Sequence, residues 1–229
     1  MRPLAALGVT AALHIAALGV HTARVAAQQP VARQLAGRVP ATVVAAVSAL
    51  ADSAATRGLP VEPLVEKAIE GAAKAAAPER IVVAVQAVLA RLGRAQGALQ
   101  AAGVATPAPD AIEAGAFALS AGLEVGNVQA VAVACGTRYS AAVALRVAGT
   151  LSALGVPPAQ TVELVKQTLR SGAQERDLLA LPGRVEAQVA QGATPAQAAA
   201  GLARAAAARA AAPGQNRVPP RGQSSSHRP

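Results

Sequence analysis

Two stretches of the chain follow one plan, and that plan decides the fold. "PLVEKAIEGAAKAAAPERI" occupies residues 63–81, and "PAQTVELVKQTLRSGAQERDL" occupies residues 158–178. Each begins with proline, runs through a short amphipathic segment, breaks at Gly or Pro, and restarts at Glu-Arg. Proline at the start and glycine just past the end are typical of helix boundaries. Each stretch therefore predicts a short helix followed by the start of a second one, which in the first stretch is longer and runs to Gly103.

The apolar residues of both stretches recur at helical spacing, which predicts one buried stripe on each first helix. In the first stretch this stripe is Leu64, Val65, Ala68, Ile69, Ala72, Ala73 and Ala76, opposite Glu62, Glu66, Glu70 and Lys74. In the second it is Val162, Val165 and Leu169, opposite Glu163, Lys166 and Arg170. Glu70 and Lys74 stand in the favoured order for an ion pair across one helical turn.

The plan also recurs between these two stretches. Its copies begin at Pro63, Pro109 and Pro158, so the steps are 46 and 49 residues. Periods of about 40–47 residues with two helices each are typical of helical solenoids, whose units cannot bury their apolar face alone. The pattern predicts short helical hairpins in a solenoid-like array. The alternative is an irregular bundle whose helices are punctuated alike.

Composition agrees with an all-α fold. The 229 residues include 64 alanines, one Phe, one Tyr and no Trp. Alanine has the highest helix propensity but buries little apolar area, so the helices are expected to pack closely. We expect this alanine-rich helical domain to span residues 28–212.

Residues 1–27 are expected to be a signal peptide. "MRP" supplies a positive start, Leu4 to Val20 is uncharged and mostly apolar, and Val25 and Ala27 are the small residues of a signal-peptidase site. An uncleaved membrane anchor is the alternative, although the run is short for a span and contains a histidine. The sequence thus predicts a periplasmic or secreted protein whose mature chain has no transmembrane span.

Residues 213–229 contain almost no large apolar residue and are expected to form a disordered basic tail. Five arginines without an intervening acid follow residue 194 and are candidates for contact with an anionic surface: Arg204, Arg209, Arg217, Arg221 and Arg228. The formal net charge of +9 is spread thinly along the chain, which argues against a nucleic-acid partner.

The sequence offers little for catalysis. Residues 28–212 contain no histidine, which removes the commonest general base and metal ligand. Cys135 lies in an apolar run and is expected to be a buried, inert thiol. Tyr139 is expected to place a hydrogen-bonded hydroxyl at the edge of the core. The carboxylates of Glu62, Glu66 and Glu70 fit a solvated helix face better than an acid/base pair.

We therefore expect a protein that is not an enzyme and that needs no cofactor or metal. The first hypothesis is a protein-interaction or structural component of the cell envelope, because stacked hairpins form extended binding surfaces. The second is binding of an anionic envelope polymer or membrane surface through the Arg-rich C-terminal end, which salt would weaken.

Overall fold

A computed structural model describes residues 31–212, and no strand occurs within that range. Residues 31–35 are helical. Ten further helices follow: α1 (Ala41–Thr56), α2 (Glu62–Ala73), α3 (Pro78–Ala101), α4 (Pro109–Ser120), α5 (Val125–Cys135), α6 (Ala141–Ala153), α7 (Pro158–Arg170), α8 (Glu175–Leu179), α9 (Leu181–Ala190) and α10 (Pro195–Ala211). The all-α prediction is confirmed, and the predicted helix pairs correspond to α2–α3, α4–α5 and α7–α8.

Most helices end in the same turn. After α6, the N–H of Gly155 donates to the carbonyl of Ser152, and the N–H of Val156 donates to the carbonyl of Leu151. These two hydrogen bonds satisfy two carbonyls that the helix end would otherwise leave without a partner. The same pair of bonds closes α1, α2, α3, α4 and α9. Gly155 has a φ of 85°, and glycine adopts this backbone conformation without a steric penalty.

Most helices begin with proline at or near the first turn or with reciprocal side-chain hydrogen bonds. The Thr194 hydroxyl accepts the N–H of Gln197 at 3.2 Å, and the Gln197 side chain accepts the N–H of Thr194 at 2.9 Å. This capping box satisfies two donors at the start of α10. Pro195 follows in the first turn of the same helix.

Contacts between helices connect near neighbours along the chain. Helices α3, α5, α7 and α10 pack in that order, each against the next, and α4, α6 and α9 do the same. Consecutive helices of the chain join these two rows, as α3 with α4 and α6 with α7, and α2 packs against α3 outside the second row. Helix α7 therefore lies between α5 and α10 in its own row and contacts α6 and α8 as well.

Small residues let the helices approach closely, as the alanine content predicts. A Cβ added at Gly149 of α6 would lie 2.6 Å from the Phe117 ring and 3.1 Å from the Cα of Ala118 in α4. A Cβ at Gly115 of α4 would lie 2.9 Å from the Cβ of Ala95 in α3. Only glycine fits these contacts without a shift of its neighbours.

The predicted stripes are correct in α7 but too wide in α2. Val162, Val165 and Leu169 are all buried. In α2, however, Ile69 is half-buried and Ala73 is exposed. The reason is that α2 packs chiefly against α1 and α3, so only the inner part of its apolar stripe is covered.

Candidate functional site

The outer side of α7 is the best candidate for a functional surface. Its polar residues lie between two grooves, one toward α5 and the other toward α10. We call these residues the α7 face; they are Gln160, Glu163, Lys166, Gln167 and Arg170. Helix α7 holds this face rigidly because its opposite side is fixed in the core by Leu164, Val165 and Leu169.

Two buried threonines help to fix α7. Thr161 is fully buried, and its hydroxyl donates to the carbonyl of Val156 at 3.2 Å. The Thr168 hydroxyl donates to the carbonyl of Leu164 at 2.8 Å. A buried hydroxyl without a partner would destabilise the fold. These hydrogen bonds therefore allow Thr161 and Thr168 to lie on the core side of α7.

The α5–α7 groove has a volume of about 580 Å³. It is lined by Gly126, Gln129, Ala130, Val133, Ala134, Lys166 and Arg170. Val133 is 57% exposed in this groove, and Val83 and Leu179, which lie elsewhere, are exposed to a similar extent. The Gln129 side chain donates to the carbonyl of Ala101 at 3.2 Å, which ties this part of α5 to the end of α3. The groove combines small and aliphatic residues on α5 with two cations on α7.

Neither cation of this groove is neutralised by a near neighbour. Within residues 31–212, Lys166 and Arg170 form no ion pair. A third cation lies toward the same end of α7. Tyr139, which follows α5, donates its hydroxyl to the carbonyl of Leu169 at 3.1 Å. The Arg138 guanidinium stacks on the Tyr139 ring at 5.3 Å from its centroid. The predicted hydrogen-bonded hydroxyl of Tyr139 is thereby confirmed.

The α7–α10 groove is smaller, with a volume of about 250 Å³, and its polar groups are mixed in charge. Gln160, Glu163 and Gln167 line it from α7, and Arg204 lines it from α10. The Gln167 amide donates to the Glu163 carboxylate at 2.6 Å. The Gln160 Oε1 atom is buried and accepts no hydrogen bond from any residue that the structure describes.

The structure does not bring the predicted anion-contacting arginines to one point. Arg204 and Arg209 are exposed on α10, where each Nε donates to the carbonyl four residues earlier. Five residues separate them, so their side chains leave the helix about 140° apart. The other candidates of the tail, Arg217, Arg221 and Arg228, lie outside the described residues. So do the signal-peptidase residues Val25 and Ala27.

Two side chains that could take part in nucleophilic or acid/base chemistry have other roles in the structure: Cys135 is buried, and Glu70 is held in ion pairs. Cys135 is buried as predicted, and loss of hydration raises the pKa of its thiol to about 11. Glu70 bonds to Lys67 and Lys74, and these two ammonium groups lower the pKa of its carboxyl to about 2. The predicted Glu70–Lys74 pair is thus confirmed, and Glu62 and Glu66 are exposed.

Residues 31–212 contain neither a cluster of metal-ligating side chains nor a helix suited to crossing a bilayer. No group of three or more His, Cys, Asp or Glu side chains in this range is arranged to hold a metal ion. No helix in it has both the length and the hydropathy that crossing a bilayer requires.

Sequence reasoning placed Lys166 and Arg170 on the outside of α7 but missed the α5–α7 groove. The groove depends on the separation of α5 and α7, which are neighbours in space and not along the chain. The sequence did contain one indication of this groove. Gly126, Ala130 and Ala134 recur every four residues, which leaves one side of α5 without large side chains.

Comparison with protein-family models, with curated proteins and with solved structures finds no match to this chain.

Proposed function

We propose that the protein is a non-enzymatic interaction component of the cell envelope, and that the α7 face binds a protein partner. One observation carries this proposal. Lys166 and Arg170 lie unpaired, within the described part of the chain, along a groove of about 580 Å³ whose other wall exposes Val133. Exposed aliphatic surface beside uncompensated charge favours a partner that covers the one and pairs with the other.

The helix contacts support a stacked array of hairpins as the scaffold for this face. Helices α3, α5, α7 and α10 each pack against the next, and their partners in the second row do likewise. Such contacts, confined to near neighbours in the chain, are the pattern of a helical solenoid. In an array of this kind one row of helices forms a continuous outer surface, to which α7 contributes the central part.

Export is the second part of the proposal and derives from the N-terminal sequence. The uncharged run from Leu4 to Val20 and the small residues Val25 and Ala27 fit a cleaved signal peptide. Sequencing of the exported protein from its N-terminus should then begin at Gln28. Recovery of intact Met1 from the membrane fraction would contradict cleavage.

The composition also predicts how the partner is held. The chain has one Phe, one Tyr and no Trp, and Trp and Tyr are the residues that most often dominate the energy of an interface. Binding should therefore be weak or spread over a large area. A site-specific covalent probe suits such an interaction better than a simple pull-down.

The experiment is photo-crosslinking in cells with a reactive residue at one position of the full chain. Position Gln167 reports on the α7 face, and position Glu66 on α2 is the matched control because it is exposed on the polar side of the corresponding helix. We expect a discrete adduct from Gln167 and none from Glu66. Equal labelling from both positions, or none from either, would contradict the proposal.

A second candidate function is binding of an anionic polymer or membrane surface through the Arg-rich C-terminal end. It is favoured by the exposure of Arg204 and Arg209, and weakened by the angle of about 140° between them. This function predicts binding that falls steeply with salt and that is lost when residues 213–229 are removed. Binding through the α7 face should survive that truncation.

A further inference from the structure

We infer that the α5–α7 groove binds a short acidic amphipathic helix of the partner protein. This inference rests on the proposed function and specifies the chemistry of the partner. Three features of the groove lead to it: the sign of its charge, the spacing of the residues in its two walls, and its exposed aliphatic surface.

The sign of the charge selects an acidic partner. Among the residues that the structure describes, Lys166 and Arg170 are the only charged ones that line this groove. Arg138 adds a third cation toward the same end, because the Tyr139 hydroxyl bonds to the carbonyl next to Arg170. Carboxylates at the rim would meet cations that form no ion pair among the described residues. Complementary potentials of this kind determine which partners are accepted.

The spacing of the two walls selects a helix. Lys166 and Arg170 stand four residues apart, so they repeat about 6 Å along the axis of α7. On the opposite wall, Gly126, Ala130 and Ala134 repeat with the same period. Small residues at this spacing let another helix approach closely, and acidic residues at the same spacing on that helix would meet both cations.

The aliphatic surface selects an amphipathic helix over a purely acidic chain. Val133 is 57% exposed in the groove, and Ala130 and Ala134 flank it on α5. The stretch from Gly126 to Ala134 spans about 12 Å along α5, which corresponds to about two helical turns. A Leu or Val of the partner would cover Val133 while its acidic residues face α7.

The test is a fluorescence-anisotropy titration of the full chain with a synthetic helical peptide. The peptide has about 16 residues, just above the length below which isolated helices are marginal, with Glu at four-residue intervals beside a Leu stripe. Its control has Gln in place of every Glu. The protein variants are Lys166→Glu/Arg170→Glu and, as a matched control, Arg38→Glu/Arg80→Glu, which reverses two exposed cations that do not line this groove. Circular dichroism melts establish that each variant is folded.

We expect the Glu peptide to bind the unaltered chain and the Arg38→Glu/Arg80→Glu control alike. Reversal of the groove charges should weaken binding about tenfold, since two exposed ion pairs become repulsive. A peptide with Lys in place of Glu should bind the reversed groove better than it binds the unaltered chain. Equal binding of the Glu and Gln peptides would overturn the inference. So would equal losses in both variants.

Two other occupants of the groove are separated by the same variants. Anionic lipid vesicles that bind more tightly than the peptide, and lose binding on groove reversal, would replace the helix with a membrane surface. Sedimentation that shows self-association abolished by groove reversal would replace it with a second copy of the chain. If the peptide fails while the Gln167 crosslink persists, the inference falls and the proposed function stands.

Discussion

Helices α2 and α7 begin the first and third copies of one sequence plan, yet they serve different purposes in the structure. Helix α2 packs chiefly against α1 and α3 and buries Leu64, Val65 and Ala68. Helix α7 contacts four other helices and buries twice as many residues, among them two threonines. An amphipathic pattern therefore predicts which side of a helix faces inward, whereas the number of neighbouring helices decides how much of that side is buried.

Their polar faces differ as much as their buried ones. On α2, Lys67 and Lys74 both bond to Glu70, so the two cations of this face are paired, while Glu62 and Glu66 are exposed. On α7, Lys166 and Arg170 form no ion pair with any residue that the structure describes, and the Glu163 carboxylate accepts a hydrogen bond from Gln167. The two faces therefore differ in their cations, which are paired on the first face and available to a partner on the second.

The largest expected difference between the two helices concerns their buried aliphatic residues. Leu169→Ala should lower the free energy of unfolding by about 2–5 kcal/mol, because Leu169 is almost fully buried and its loss leaves a cavity. Ile69→Ala should cost about 1 kcal/mol, since Ile69 is only half-buried. Urea titrations of both variants measure this. Equal losses would mean that the two helices are covered to the same extent.

The turns that follow the two helices should respond in opposite directions to exchange of Ala and Gly. Ala75 follows α2 with φ 52°, a strained conformation for alanine, whereas Gly172 follows α7 with φ 73°. Ala75→Gly should stabilise the protein by about 1 kcal/mol, and Gly172→Ala should destabilise it by about the same amount. Nothing lies within 4 Å of a Cβ at Gly172, so its effect is one of backbone conformation alone. Thermal melts in which both substitutions act in the same direction would contradict a left-handed backbone at both positions.

An effect of similar size is expected where α7 is tied to the segment after α5. Tyr139→Phe removes the hydroxyl that donates to the carbonyl of Leu169 and should cost about 1 kcal/mol. Urea denaturation measures the loss. An unchanged stability would show that water replaces this bond at no cost, and that Tyr139 does not fix the end of the α5–α7 groove.

The smallest effect concerns the charge network of α2. In the double variant Lys67→Ala/Lys74→Ala, the pKa of Glu70 should rise from about 2 toward its ordinary value of 4.5. Because the pKa is lowered in the folded state, these ion pairs stabilise the fold above about pH 4.5. That stabilisation is lost as pH falls toward 2. An NMR titration of the Glu70 carboxyl checks the shift. An unchanged pKa would mean that the two lysines do not pair with Glu70 in solution.

The sequence predicted the elements of this fold better than their arrangement. Helix starts at Pro109 and Pro158 could be predicted from the sequence, because proline and glycine constrain the backbone locally. The burial of Thr161 and Thr168 could not be predicted from the sequence, since isolated polar residues on a helix suggest an exposed face. Their hydroxyls bond to backbone carbonyls nearby, which removes the penalty of burial.

The candidate site was predictable only in part, for the same physical reason. The outward position of Lys166 and Arg170 follows from helical periodicity within α7. The groove beside them requires the distance between α5 and α7, which are separated in the chain by α6. Helices pack closely at Gly149, whereas a wider gap separates α5 from α7. Which of the two occurs depends on the residues that meet across a pair of helices, and the sequence of one helix does not determine this.

The central claim is that the polar face of α7 binds a partner while that of α2 faces solvent. It is tested most directly by the affinity of two double variants for the partner captured through Gln167: Lys166→Ala/Arg170→Ala on α7 and Lys67→Ala/Lys74→Ala on α2. Both remove two positive charges from corresponding helices. We predict that the α7 variant loses most of its affinity and the α2 variant keeps it. Equal affinities in the two variants would contradict the claim.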